Sequence, residues 1–437
     1  MRHTITRGRF SPVDVEAPAH QPHLVVRLRQ GTSEREQVQD LMAKRVPGAT
    51  VEALFPAARP ALATASEGEG EPLGSLLDYL RIALPAELDP TRAVARLAQL
   101  AAVDAVYEEG PPTAPAVVAA PQADIDEFPQ HYLDPSPTGI DAEHAWNFSG
   151  GTGAGVGLID VEQGWVLNHE DLPPGIALLT GRNKQFFGHG TAVLGVVAAV
   201  DNGRGVVGIA PGIGKLSVVS QWWSERHFCT ARALFVAAMN LQPGDVLLLE
   251  AQTACRLVPG LFPVEIEPAV QSVIRLAAAR GITVVEAAGN GDQPLDDFNH
   301  PTWGRSLDRP SGAIMVGAAT AGSEHARMAG SNFGRRVDCY AWGEQVATTG
   351  DGVDGQETTR FTEQFSGTSA ASAIVAGAAV VVQGIAKAHL GTPLSPAALR
   401  ELFRDPTTTT PSARPASDRI GVMPDLKRVV AKLFEAG

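Results

Sequence analysis

The chain has little cysteine: three residues, Cys229, Cys255 and Cys339, scattered through 437 positions. An odd, widely spaced set does not build a disulfide framework, so stability must come from a packed core. Reduced thiols in a cytoplasmic protein are the simple reading. The opening Met1-Arg2-His3-Thr4-Ile5-Thr6-Arg7 has no apolar leader of the signal-peptide kind. No apolar run of membrane-spanning length stands out, which argues against a membrane partner. Bases are in the minority, 35 against 48 acids for a net charge of −13, which argues against nucleic acid as the main partner. No run of like charge is long enough to act as a binding tail. Gly151-Thr152-Gly153-Ala154-Gly155 precedes a strand instead of joining strand to helix, so it is no dinucleotide fingerprint. Gly212-Ile213-Gly214-Lys215-Leu216 lacks the spacing and hydroxyl of a phosphate loop, and His169-Glu170 lacks the second histidine of a zinc protease.

What remains is room for one large α/β domain and a smaller one, with a hydrophobic content of 44% that is ordinary for a globular fold. The most informative stretch is Phe365-Ser366-Gly367-Thr368-Ser369-Ala370-Ala371, which runs into Ile374-Val375-Ala376-Gly377-Ala378-Ala379. The pattern predicts a buried helix beginning near Ser369. A hydroxyl there lies among unpaired backbone N–H groups, which suits a nucleophile. It equally suits a plain N-cap. Val156-Gly157-Leu158-Ile159-Asp160 reads as an apolar strand ending in a carboxylate, and Gly188-His189-Gly190-Thr191 opens an apolar helix ending near Val200. Singly, these are a strand-end acid and a helix-start polar residue. In chain order they give Asp, His, Ser, one of the orders in which serine-protease triads occur, and Ser369 is not in the G-x-S-x-G elbow of the α/β-hydrolases. Residues 281–289 form a strand closing on Asn290 between two glycines, where an amide N–H suits an oxyanion.

Together these segments resemble the subtilisin-like serine proteases, the subtilases. The carrying residues are Ile159-Asp160, His189-Gly190-Thr191, Gly367-Thr368-Ser369 and Asn290. Supporting matches are His169-Glu170-Asp171-Leu172, Gly205-Val206-Val207-Gly208-Ile209-Ala210-Pro211 and Ala145-Trp146. The likeness runs from about Gln130 to the C-terminus. It implies an α/β fold, a mainly parallel sheet flanked by helices, and a serine endopeptidase acting on protein or peptide. His189 would be the base for Ser369, Asp160 would hold the imidazole, and Asn290 with the Ser369 N–H would form the oxyanion hole. No cofactor is required. The resemblance allows a structural calcium ion at Asp171 and Asn202, against which Arg204 in the same loop weighs.

Departures from the family pattern are confined to the surroundings. Val161-Glu162 follows Asp160 where Thr or Ser and then Gly are usual. Ala373 stands in place of a proline, and Ala341-Trp342-Gly343 in place of Ala-Pro-Gly. The segment Leu248-Leu249-Glu250-Ala251-Gln252 replaces Ser-Leu-Gly-Gly, which in the family lines the substrate cleft. Glu250, Ala251 and Asp292 are therefore expected at the substrate pocket, where two carboxylates would favour Arg or Lys before the cut. The alternative function is a weak or inactive subtilase fold used for binding or regulation.

The N-terminal part reads as strand 23–28, helix 32–44, strand 50–55, loop 63–71, strand 77–84, helix 90–100 and strand 102–108, a ferredoxin-like order. Subtilase propeptides share that order, so the segment resembles an inhibitory propeptide of a zymogen. The expected division is a tail over 1–20, an α+β domain over 21–110, a Pro/Ala-rich linker over 111–129 and the catalytic domain over 130–437.

Overall fold

A computed structural model describes residues 20–435 except 31–34, 66–68, 86, 115–128, 255–257, 301–303 and 352–354. Most of the tail, most of the linker, and Cys255 lie outside the described residues. Cys229 and Cys339 are buried free thiols.

The N-terminal part contains β1 (His23–Leu28), α1 (Arg35–Arg45), β2 (Thr50–Ala53), α2 (Ala58–Leu62), α3 (Gly70–Leu76), β3 (Tyr79–Ala83), α4 (Pro90–Leu97) and β4 (Val103–Glu108). The strands make an antiparallel sheet in the order β2-β3-β1-β4. Two short helices, α2 and α3, lie between the strands read from sequence at 50–55 and 77–84, and α3 overlaps the end of the segment read as loop. Asp89 caps α4, its carboxylate accepting from the Thr91 N–H, and Pro90 follows at the position where a missing N–H costs nothing.

The rest of the chain continues through α5 (Ala142–Trp146), β5 (Gly157–Glu162), β6 (Ala177–Thr180), α6 (Phe187–Ala198), β7 (Lys215–Ser220), α7 (Thr230–Asn240) and β8 (Val246–Leu249). Next come β9 (Gln252–Ala254), β10 (Leu261–Pro263), α8 (Pro268–Ala279), β11 (Thr283–Ala287), β12 (Ile314–Ala319), β13 (Cys339–Trp342), β14 (Val346–Thr349) and β15 (Phe361–Phe365). The chain ends with α9 (Thr368–Leu390), α10 (Pro396–Leu402), β16 (Thr409–Pro411), α11 (Pro415–Asp418), β17 (Val422–Pro424) and α12 (Leu426–Glu435). Nine strands form one sheet in the order β16-β17-β13-β12-β11-β8-β5-β7-β6, parallel throughout except for the β16–β17 edge. The central strands are largely apolar on both faces, as a sheet covered on both sides requires.

One face packs on α6 and α9, through Leu158, Val246 and Leu248 among others. The opposite face packs on α7 and α8, through Ile159, Val161, Leu247 and Leu249. The helix α9 is 23 residues long and apolar enough to cross a membrane, contrary to the sequence reading that no such run exists; from Thr368 to Ala386 it is buried in the core. The N-terminal sheet seats on α7 and α8. Phe55 packs on Phe235 with ring centroids 5.4 Å apart, and the Tyr79 hydroxyl donates to the Pro268 carbonyl at 2.9 Å.

Candidate active site

Alternation along β5 places Asp160 and Glu162 on the same side as Leu158, the side covered by α6 and α9. His189 lies in the first turn of α6. Gly190 is needed beside it, because a Cβ there would stand 2.3 Å from the Gly164 carbonyl and 2.5 Å from the Trp165 ring. The loop carrying Trp165 therefore lies directly on the histidine helix. The Thr191 hydroxyl ties the same loop down, accepting from the Val166 N–H at 2.8 Å.

His189 is buried, and its Nδ1 stands 2.7 Å from Oε1 of Glu162. That contact is close without hydrogen-bond geometry, and Nε2 has no hydrogen-bond partner. The ring meets Phe365 edge to face at 5.5 Å, which fixes its plane from the α9 side. Asp160, the acid expected at Nδ1, forms no ion pair with His189. Its Oδ2 instead accepts from the Trp165 indole N–H at 2.7 Å, and its Oδ1 has no partner.

Glu250 follows the last paired residue of β8. Since Val161 pairs with Leu249, Glu250 stands one step further on, opposite Glu162. It is buried, and neither carboxylate oxygen has a hydrogen-bond partner. Burial, then the charges of Asp160 and Glu162, push its carboxyl well above the ordinary glutamate range. Burial and then Glu162 do the same to Asp160. Glu250 thus faces the histidine cluster and does not stand exposed on a pocket rim. Asp292 is exposed but bound to Arg327 at 2.5 Å, which neutralises the charge expected to attract a basic substrate. Ala251 lines a small cavity of about 20 Å³ with Thr113, Glu162, Gln163, Glu250 and Gln252.

Ser369 is the second residue of α9, buried, behind Gly367, whose φ of 93° is a conformation that side chains rarely adopt. Helix α9 packs on α6 along its length. Asn290 follows β11 and is oriented from α9: its Oδ1 accepts from the Thr368 N–H at 2.9 Å and the Thr368 hydroxyl at 3.1 Å. That turns the amide N–H₂ away from the helix, where it reaches Oε1 of Gln252 at 3.4 Å. The Gln252 amide donates in turn to the Ala114 carbonyl at 3.2 Å, and Gln163 donates to the Thr113 carbonyl at 3.0 Å. The segment leaving the N-terminal sheet therefore runs beside the oxyanion-type amide.

The calcium expected at Asp171 and Asn202 does not fit the donors present. Asp171 Oδ1 accepts from the Asn202 amide at 2.7 Å and Oδ2 from the Val206 N–H at 3.0 Å, so N–H groups use both oxygens. Burial lifts this carboxyl to about 6. Two clusters bring ligand-type atoms within 4.8 Å of one another: Glu162, His189 and Glu250, and at the domain junction His23, Glu109 and Cys229. In each a histidine nitrogen already stands close to a carboxylate oxygen, at 2.7 and 2.5 Å. Ligands around a tetrahedral zinc stand about 3.3 Å apart, so the histidine–carboxylate contacts are shorter than a zinc site would hold them.

Glu162 is the residue at the histidine that sequence reasoning passed over. The signal was present: on a strand, a residue two past Asp160 shares its face.

A parallel-sheet α/β fold with a buried histidine–carboxylate pair at one helix start and a serine at another defines a class of hydrolase-like sites. The chain is 30% identical over 266 residues to an intracellular serine protease of Paenibacillus polymyxa, covering 57% of this chain and 72% of that protein. It is 29% identical over 240 residues to subtilisin DY of Bacillus licheniformis, covering 53% and 77%. The subtilase family model matches residues 262–421. Among solved structures, fervidolysin from Fervidobacterium pennivorans, a keratinolytic enzyme related to subtilisin, superposes with a TM-score of 0.60 at 17% identity, over 94% of this chain and 61% of that one. A protease from Pseudoalteromonas arctica gives 0.52 at 22% identity, over 69% and 96%. The chain belongs to the subtilase family of serine proteases.

Proposed function

We propose that the protein is a serine endopeptidase whose nucleophile is Ser369 and whose general base is His189. The observation that carries this reading is the setting of His189: a buried Glu162 carboxylate oxygen stands 2.7 Å from Nδ1, and no side chain or backbone group hydrogen-bonds Nε2. A carboxylate that close to Nδ1 favours the tautomer protonated there, which offers the Nε2 lone pair as a base. In the reaction Ser369 Oγ bonds to the scissile carbonyl carbon as its proton passes to Nε2. The same proton then goes to the leaving amine as the C–N bond breaks, and water repeats the sequence on the acyl-enzyme. The Asn290 amide and the Ser369 N–H would receive the oxyanion, an assignment supported by the way Thr368 turns the amide outward. Ser369→Ala in the folded protein is expected to lower peptide hydrolysis by about 10³–10⁶ and abolish fluorophosphonate labelling. Unchanged hydrolysis would end the assignment.

The N-terminal part is, in the same reading, a propeptide-like intramolecular inhibitor of ferredoxin-like type. Its strand order β2-β3-β1-β4 and the approach of Thr113 and Ala114 to Gln163 and Gln252 support this. A second reading, a fold kept for binding, draws on Glu250, a buried acid with no partner beside the histidine.

A further inference from the structure

We infer that Glu162, and not Asp160, is the positioning residue that holds the His189 imidazole during catalysis, with Asp160 serving as a buried acid tied to Trp165. This rests on the serine endopeptidase reading for its consequence, though not for its geometry. Both acids lie on one face of β5, so either could have been turned toward the histidine helix. Glu162 makes the contact with Nδ1, at 2.7 Å. Asp160 spends one oxygen on the Trp165 indole N–H, also at 2.7 Å, and leaves the other unpartnered. That indole is held by packing against Gly190, so Asp160 is bound from the side of the loop.

Charge sorts the cluster in the same way. Asp160, Glu162 and Glu250 are all buried, and among the described residues the imidazole is the one basic side chain in ion-pair distance of any of them, at Glu162. Three carboxylates cannot all stay ionised at such distances. Burial and their neighbours drive Asp160 and Glu250 toward the neutral form. Glu162 is the one of the three acids that stands against Nδ1 of the ring. When Ser369 Oγ adds to the carbonyl carbon and Nε2 takes its proton, the imidazolium charge then forms against Glu162. The Nδ1 proton stays donated to that carboxylate until Nε2 releases its own to the leaving amine. The departure from the family at Val161-Glu162 is thus a shift of the acid by two residues along one strand.

The test uses the full chain, the variants Glu162→Gln, Glu162→Asp, Asp160→Asn, Trp165→Phe and Ser369→Ala, and a histidine-substituted control. Thermal unfolding verifies that each is folded. Two readouts are taken: the downfield Nδ1 proton resonance of His189, assigned by its loss in a histidine-substituted control, and kcat and KM for a peptide substrate across pH. Glu162→Gln is expected to remove the resonance and lower kcat by about 10³–10⁴ with KM little changed. Asp160→Asn and Trp165→Phe are expected to keep the resonance and to hold kcat within about tenfold, with the pH profile unshifted. Glu162→Asp should recover part of the loss. Should Asp160→Asn remove the resonance, or cost as much as Glu162→Gln, the inference is overturned. If Asp160→Asn does not fold, Trp165→Phe decides by the same two readouts. Wild-type hydrolysis equal to that of Ser369→Ala would instead refute the endopeptidase reading, while the resonance would still decide between the two acids.

Discussion

At Asn290 one side chain links two parts of the proposed chemistry. Its carbonyl is held by two donors from Thr368, so its N–H₂ direction is set by the start of α9, the helix that carries Ser369. Asn290→Ala is expected to lower kcat by about 10²–10³ with little change in KM, the loss typical of one oxyanion donor; steady-state kinetics on a peptide substrate would check this. Trp165 is a residue of a different kind. Removing its indole N–H by Trp165→Phe leaves both Asp160 oxygens without a partner in a buried setting. A loss of about 1–3 kcal/mol of stability is expected, measured by denaturant unfolding.

At the scale of elements, the site depends on close contact between helix starts and strand ends. Helix α6 approaches β14 so tightly that a Cβ on Gly195 would stand 2.2 Å from the Thr349 hydroxyl, 2.4 Å from the Thr348 hydroxyl and 2.9 Å from the Thr349 backbone nitrogen. Thr348 and Thr349 also donate to the carbonyls of Ala192 and Thr191 on α6, at 2.6 and 2.7 Å. Gly195→Ala must push helix and strand apart, so it is expected to destabilise by about 1–3 kcal/mol and to disturb the setting of His189. Calorimetry together with the His189 resonance would register both effects. Helix α9 follows the same logic from the other side. Ala370, Ala371, Ala373, Ala376, Ala378 and Ala379 let it lie at the centre of the core, against β8, β11, β12 and β13.

At the scale of the whole molecule, the N-terminal sheet supplies caps to two helices of the main domain. Glu109 accepts from the Thr230 N–H at the start of α7, at 2.8 Å, and the Tyr107 hydroxyl accepts from the Ala269 N–H at the start of α8, at 3.2 Å. The same junction brings Glu267 beside Glu109. Burial and then Glu109 raise Glu267 from its ordinary 4.5 to about 8, against hydrogen bonds from Thr253 and Gly110 that favour its charged form. The folded state thus holds this proton more tightly than the unfolded chain does. The contribution of Glu267 is greatest below its ordinary value, falls as pH rises toward about 8, and levels off beyond. Glu267→Gln should remove that part of the pH slope, read as the difference between the two thermal-midpoint curves over the interval. If the N-terminal part restrains the enzyme, a chain cut between residues 115 and 128 and freed of it should hydrolyse peptide faster, and adding the N-terminal piece back should slow it again.

The sequence by itself determined the class of the fold and the elements that carry the proposed site residues. Apolar strands followed by glycine-flanked polar residues at helix starts are local patterns, and local patterns decide helix and strand. Hence the strand to Asp160, the helices opened by His189 and Ser369, and the strand closing near Asn290 lie where the residues suggest. The N-terminal strands were legible for the same reason, while α2 and α3 were not, since Ala-Gly-Glu composition there gives no clear period. Only the tertiary structure decided which acid meets the imidazole, because Asp160 and Glu162 share a face and the choice depends on the Trp165 loop packed through Gly190. It alone decided that Glu250 lies inward, from the register of β8 against β5, and that Asp292 is taken by Arg327. Those outcomes depend on contacts between segments far apart in the chain, which no local pattern encodes.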